Sequence, residues 1–218
     1  MVPFLFESGD WIPHPDGLDL CILPLGGALN EAKANEVLIY HRHFQSEHLL
    51  TPEETSELLA NEPIVMFGHP LGYTYGGLPI ARTGHTATHP GLDIPSNGNS
   101  SDPFGNAHAP FGLVDISCHG GSSGSPICLL SDGGYVTQDG FVQERRLKLL
   151  GIMTQAELVE ERLWNSTKTK TLDLTVDVAT RLGRYIKARG LRQLVDHALK
   201  EYGSHIPQET YRNIFARG

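Results

Sequence analysis

Short apolar runs broken by glycine, proline and polar clusters recur along the chain, the pattern of strands joined by turns. Val2–Phe6, Leu18–Leu25, Glu36–Phe44, Ile64–Phe67, residues 111–117, residues 126–130 and Leu147–Met153 read as strands, and Leu78–Thr88 as extended chain. Leu18–Leu25 reads as buried, with Asp19 near its start; a carboxylate there needs a partner or a task. Asp16-Gly17 and Ser131-Asp132-Gly133-Gly134 are turn signals, and Pro90–Pro110 reads as a long surface loop. Thr51-Pro52-Glu53-Glu54 predicts a helix start, with a threonine cap, proline at the first helical position and glutamate at the third. That helix should end before Pro63. Residues from about 172 to 202 read as helical, broken near Gly190.

Composition agrees with an all-β class. The 218 residues include 24 glycines and 14 prolines, which favour many turns, and the 39% hydrophobic content is enough for a sizeable core. The formal net charge of −8 leaves no basic stripe for nucleic acid. The mild basic cluster Arg181–Arg192 reads as a solvated helix face. No apolar stretch is long enough to span a membrane. The 3 cysteines argue against a disulfide scaffold; Cys118 and Cys128 read as small buried apolar residues, and the set leans to a cytoplasmic setting. The glycosylation patterns at Asn99 and Asn165 carry meaning only in a secreted protein.

The chemistry concentrates in Gly121-Ser122-Ser123-Gly124-Ser125-Pro126, between two strand candidates. Glycines in such a loop adopt positive φ, and successive backbone N–H groups can share one concavity and hold an oxyanion. A serine hydroxyl presented there is a candidate nucleophile.

This loop is similar to the Gly-Asp-Ser-Gly-Gly-Pro signature of chymotrypsin-like (trypsin-like) serine peptidases. Three further stretches resemble motifs of that family, in the family's order. Leu18–Leu25 looks like the strand carrying the triad aspartate. Ile64-Val65-Met66-Phe67-Gly68-His69-Pro70 resembles the segment that opens the second barrel in bacterial members, and Leu150-Gly151-Ile152-Met153-Thr154 looks like the strand lining the substrate cleft. The resemblance implies a double β-barrel with a C-terminal helix, and a serine endopeptidase acting on peptide or protein substrates without a cofactor or metal. It implies Ser123 as nucleophile, the N–H groups of Gly121 and Ser123 as oxyanion hole, and Asp19 as the carboxylate orienting a histidine. Thr154, Gln155 and Ala156 would pair with an extended substrate, and Ser117 would lie at the base of the P1 pocket. Residues 1–50 would be a remnant of the N-terminal barrel with the inter-barrel linker, 51–170 the C-terminal barrel, and 171–218 a helical segment.

One part of the pattern is missing. The family's histidine precedes its aspartate, and only His14 precedes Asp19, in a turn with two prolines. His119 is too close to Ser123 to serve, and none of the other histidines matches the position. His41, His43 and His48 read as surface histidines and not as metal ligands. The chain is therefore expected to be an N-terminally truncated peptidase, inactive alone, with a histidine-bearing segment and any signal peptide upstream of Met1. A non-catalytic peptide-binding module on the same fold is the alternative. Gly120–Gly124 also fits the Gly-x-Ser-x-Gly pattern of α/β-hydrolases with Ser122 as nucleophile and His197 or His205 as base. That pattern requires a helix after the serine, where residues 126–130 read as a strand.

Overall fold

The computed structural model describes residues 7–39, 43–72, 78–94, 110–164 and 171–202. The chain forms two compact units, Met1–Leu49 with Arg189–Gly218, and Leu50–Ala188. The expected strand Val2–Phe6, residues 95–109 of the long loop, and both Asn99 and Asn165 lie outside the described residues.

In the first unit two strands of two residues, β1 (Ile12–Pro13) and β2 (Cys21–Ile22), pair antiparallel. The buried His14 ties them to the C-terminal part of the unit. Its Nδ1 accepts the Asp16 N–H at 3.1 Å, so Nε2 carries the proton and donates to the Gly190 carbonyl at 3.2 Å. The strand expected over Leu18–Leu25 is thus only Cys21–Ile22, and Asp19 sits exposed in the turn before it. Helix α1 (Gly26–Ala34) follows. Its Ala28–Ala34 stretch is rich in strong helix formers, a local preference that the expected strands on either side obscured. Among the described residues of Glu36–Phe44 there is no strand.

The second unit starts with α2 (Pro52–Glu57), capped as its sequence requires. Thr51 Oγ1 accepts the Glu54 N–H at 3.2 Å, and Glu54 Oε2 accepts the Thr51 N–H at 2.9 Å. The strands are β3 (Pro63–Gly68), β4 (Ile80–Thr86), β5 (Phe111–Asp115), β6 (Pro126–Ser131), β7 (Tyr135–Thr137), β8 (Gly140–Val142), β9 (Arg146–Trp164) and β10 (Thr171–Lys187). Six of them close an antiparallel barrel in the order β3-β4-β5-β10-β9-β6, while β7 and β8 form a separate hairpin. With β6 returning beside β3, the first four barrel strands make a Greek key, and the β9–β10 hairpin closes the ring. The chain is thus mostly β, with one closed six-stranded barrel among the described residues and a helix near the C-terminus, α3 (Ala188–Tyr202).

The helix expected over 172–202 therefore starts only at Ala188, and Thr171–Lys187 is a barrel strand. Leu172, Leu174, Val176 and Val178 alternate with Asp173, Thr175 and Asp177, which is the period of a strand. The basic cluster at Arg181–Arg192 is correspondingly not one solvated face. Arg184 and Lys187 are buried in the strand, paired with Glu157 at 2.9 Å and Asp93 at 2.8 Å.

Alternation along the strands fills the barrel. Ile64 and Met66 of β3, Val114 of β5, Ile127 and Leu129 of β6, Leu150 and Met153 of β9 and Tyr185 of β10 are buried together with Ile116 and Cys118. Cys118 and Cys128 are buried free thiols. The barrel closes tightly around Tyr185: a Cβ on Gly112 would stand 2.6 Å from its ring. Among the described residues no helix is long and apolar enough to cross a membrane.

Candidate active site

The serine loop joins β5 to β6 and is fastened at several points. Gly121 and Gly124 adopt φ of +84° and +83°, the left-handed region that disfavours side chains. The Ser122 N–H bonds to the His119 carbonyl at 3.0 Å, and the Ser125 N–H to the Ser122 carbonyl at 3.1 Å. Two more bonds stitch the loop to β9: the Gly124 N–H to the Met153 carbonyl at 2.8 Å, and the Met153 N–H to the Ser125 carbonyl at 2.9 Å. Ser125 is buried against the end of β3, where a Cβ on Gly68 would lie 2.0 Å from Ser125 Oγ. Glycine in the Gly-His-Pro segment is therefore needed for close approach of the loop.

This fastening leaves two amides over. Among the described residues the N–H groups of Gly121 and Ser123 have no protein acceptor, whereas those of Ser122, Gly124 and Ser125 do.

The two adjacent serines differ sharply. Ser123 is exposed, and its Oγ donates to the Thr154 carbonyl at 2.8 Å. Ser122 is 3% exposed, and its Oγ accepts the His119 N–H at 3.2 Å and an Arg82 N–H at 3.0 Å. No imidazole among the described residues is hydrogen-bonded to Ser123 Oγ.

Ser117, just past β5, is exposed and shares a 3.0 Å hydrogen bond between its Oγ and His119 Nε2. Its carbonyl accepts from Arg82. Burial pushes the Cys118 thiol up, with the Arg82 charge pulling the other way. Arg82 was not singled out in the sequence. Its signal is the alternation in β4, where Ile80, Arg82, Gly84 and Thr86 are the less exposed positions and Ala81, Thr83 and His85 are exposed.

Thr154, Gln155 and Ala156 lie within β9. Arg184 pairs with Gln155 and Tyr185 with Met153, so Thr154 is the extra residue of a β-bulge. Its Oγ1 donates to the Arg184 carbonyl at 3.2 Å. On its other edge β9 pairs with β6 only as far as Pro126 opposite Ile152. Beyond that point this edge has no strand partner among the described residues, so an open edge runs past Ser123.

The barrel unit thus brings together Ser117, Gly121, Ser123 and the 154–156 edge. Asp19 belongs to the first unit, exposed and without a hydrogen bond or ion pair among the described residues. No group of three or more potential metal ligands occurs among the described residues.

No protein-family model matches the chain, and neither does the sequence of any curated protein.

Proposed function

We propose that the chain carries the serine half of a chymotrypsin-like peptidase centre, and that an extended peptide adds as a strand to the open edge of β9 at Thr154–Ala156. The observation that carries this reading is the pair of acceptor-free amides, Gly121 and Ser123, beside an exposed Ser123 hydroxyl. In acyl transfer Ser123 Oγ attacks the scissile carbonyl. A base takes the Ser123 Oγ proton as the carbonyl oxygen becomes an oxyanion that the two N–H groups receive. On collapse the C–N bond breaks, the protonated base gives its proton to the leaving amine, and an acyl-enzyme is left for water to hydrolyse. One such donor lowers the barrier by about 3–4 kcal/mol. The closed barrel with the serine loop between its third and fourth strands supports the reading, and so does the order of the four motifs. The double-barrel form, the endopeptidase activity, Ser117 at the P1 pocket and Asp19 as the orienting carboxylate belong to the proposal.

Turnover needs a base. In the free chain the Ser123 proton is held by the Thr154 carbonyl, which is a poor base, so the chain alone should not hydrolyse peptides. Free imidazole in solution can take that role. We expect imidazole-dependent acylation of Ser123 by an activated peptide ester, abolished in Ser123→Ala, with the adduct mapped by mass spectrometry. Equal imidazole-dependent turnover in the wild type and Ser123→Ala would overturn the reading. Hydrolysis without imidazole, lost in Ser123→Ala, would show that the chain holds its own base.

A second reading, a peptide-binding module without catalysis, rests on the same open β9 edge. It gains if labelled extended peptides bind equally well to Ser123→Ala while imidazole rescues nothing. An α/β-hydrolase centre on Ser122 is disfavoured by that residue's burial and by the strand, β6, that follows the loop. A fluorophosphonate adduct on Ser122 would restore it.

A further inference from the structure

We infer that Arg82 is the positioning residue of the serine loop: its guanidinium, bridging the Ser117 carbonyl and Ser122 Oγ, holds the loop in the form that leaves the Gly121 and Ser123 amides free. The catalytic consequence rests on the function proposed above; the positioning does not. Arg82 lies on β4, which enters the loop region from outside the β5–loop–β6 connection. One arm of its fork donates to the Ser117 carbonyl and the other to Ser122 Oγ at 3.0 Å. The two acceptors sit on either side of Cys118–Gly121, so a single planar group sets the span of that stretch.

The second anchor is tightened from within the loop, because Ser122 Oγ also accepts the His119 N–H at 3.2 Å. Ser122 is thereby pinned between the two residues whose amides stay free. A lysine in place of Arg82 would offer a point charge with no fixed fork and could not set the same span.

The electrostatics fit the role. The Arg82 Nε is buried without a hydrogen-bond partner, and burial acts to lower the guanidinium's pKa, so placing the cation here carries a desolvation cost. No carboxylate among the described residues pairs with it. Among the described residues its hydrogen-bond acceptors are the Ser117 carbonyl and the Ser122 hydroxyl, both of the serine loop. A cation under this loop favours negative charge developing at its amides.

The test compares Arg82→Ala, Arg82→Lys and Ser122→Ala with the wild type in two measurements. Amide hydrogen exchange reads the loop. In Arg82→Ala the Ser122 and Gly124 amides should exchange roughly tenfold faster, the factor for the net loss of about one hydrogen bond. Ile127 and Leu129 should keep their protection, added guanidinium should restore the loop, and Arg82→Lys should not. Unchanged exchange at Ser122 and Gly124 would overturn the inference. Should Arg82→Ala lose protection at Ile127 and Leu129 as well, Arg82→Lys decides, since it keeps the stem and the charge and lacks only the fork: the loop loosens there or the inference falls. Ser122→Ala, which deletes the acceptor of one arm and of the His119 N–H together, should loosen the loop as well.

Imidazole-dependent acylation of Ser123 reads the consequence. Arg82→Ala should lower the acylation rate at saturating ester while leaving the half-saturating ester concentration unchanged. A loosened loop that acylates at the wild-type rate would also overturn the inference. A wild type that never acylates, with the exchange result as expected, removes the peptidase reading and leaves the positioning role standing.

Discussion

The hydroxyl and the carboxylate that the motifs single out stand in segments built to different standards. The loop from Ser117 to Ser125 is fixed by two left-handed glycines, by hydrogen bonds to β9, by the close approach of Gly68 and by the fork of Arg82. The strand after it, β6, has Ile127, Cys128 and Leu129 all fully buried. The turn carrying Asp19 joins strands of two residues each, and the carboxylate is exposed without a partner among the described residues. A nucleophile loop can be specified by its own residues and its neighbours in one barrel. Among the described residues nothing holds the Asp19 carboxylate, and the role proposed for it would give it a partner only once an imidazole is in place.

The sharpest way to break this comparison is to loosen the barrel. Glu62, just before β3, is paired with Arg146 of β9 at 2.7 Å, with side chains 5% and 8% exposed. Glu62 Oε1 also accepts the Leu59 N–H at 2.9 Å, and Arg146 lies 4.3 Å from the centre of the Tyr135 ring. Removing one partner strands a buried charge. Glu62→Ala should cost about 3–5 kcal/mol in denaturant unfolding, with the double change Glu62→Leu, Arg146→Leu recovering much of it. A loss below about 1 kcal/mol, the range of a surface ion pair, would mean that the barrel under the serine loop is no firmer than an exposed turn.

A smaller effect should appear in alkali. Burial pushes the Cys128 thiol from 9.0 up to about 12. The folded chain thus holds this proton more tightly than the unfolded chain. The resulting stability is fully present below pH 9 and is lost as pH rises toward 12, at no more than about 1.4 kcal/mol per pH unit. Cys128→Ala should flatten that slope in unfolding midpoints measured from pH 8 to 11. A slope unchanged by the substitution would show that Cys128 is not buried in solution, and with it that β6 is not held on both faces.

What was legible in the sequence follows the same division. Thr51-Pro52-Glu53-Glu54 specified its helix because a capping box is satisfied within four residues. The strands flanking the serine loop were legible from their apolar runs. The strand Thr171–Lys187 was misread as helix although its first half alternates with period two, because the charged residues from Arg181 onward suggest a helix face. Two of those charges, Arg184 and Lys187, are buried in ion pairs with residues far along the chain, and no local pattern shows this. Arg82 escaped for the same reason: its two acceptors lie on another stretch of the chain, separated in sequence by a segment rich in glycine and proline. Leu18–Leu25 shows the opposite error, since an apolar run read as a buried strand yields two strand residues and a half-exposed Leu25.

The least disturbance is expected at Asp19, and it tests the comparison from the other side. An exposed carboxylate without a partner contributes little to folding, so Asp19→Asn should shift stability by no more than about 0.5 kcal/mol. A larger loss would show that the turn is structurally engaged and that the contrast with the serine loop fails. Activity can separate what stability does not. If Asp19 orients the imidazole that serves Ser123, then Asp19→Asn should lower the imidazole-dependent acylation rate while leaving the unfolding midpoint in place. The amide is nearly the same size as the carboxylate and differs in charge and in what it can accept, so a selective rate loss would identify electrostatic orientation and not packing. Acylation at the wild-type rate would strike Asp19 from the centre. Among the described residues, the serine loop, its two free amides and the open edge of β9 would then be what supports the proposed centre.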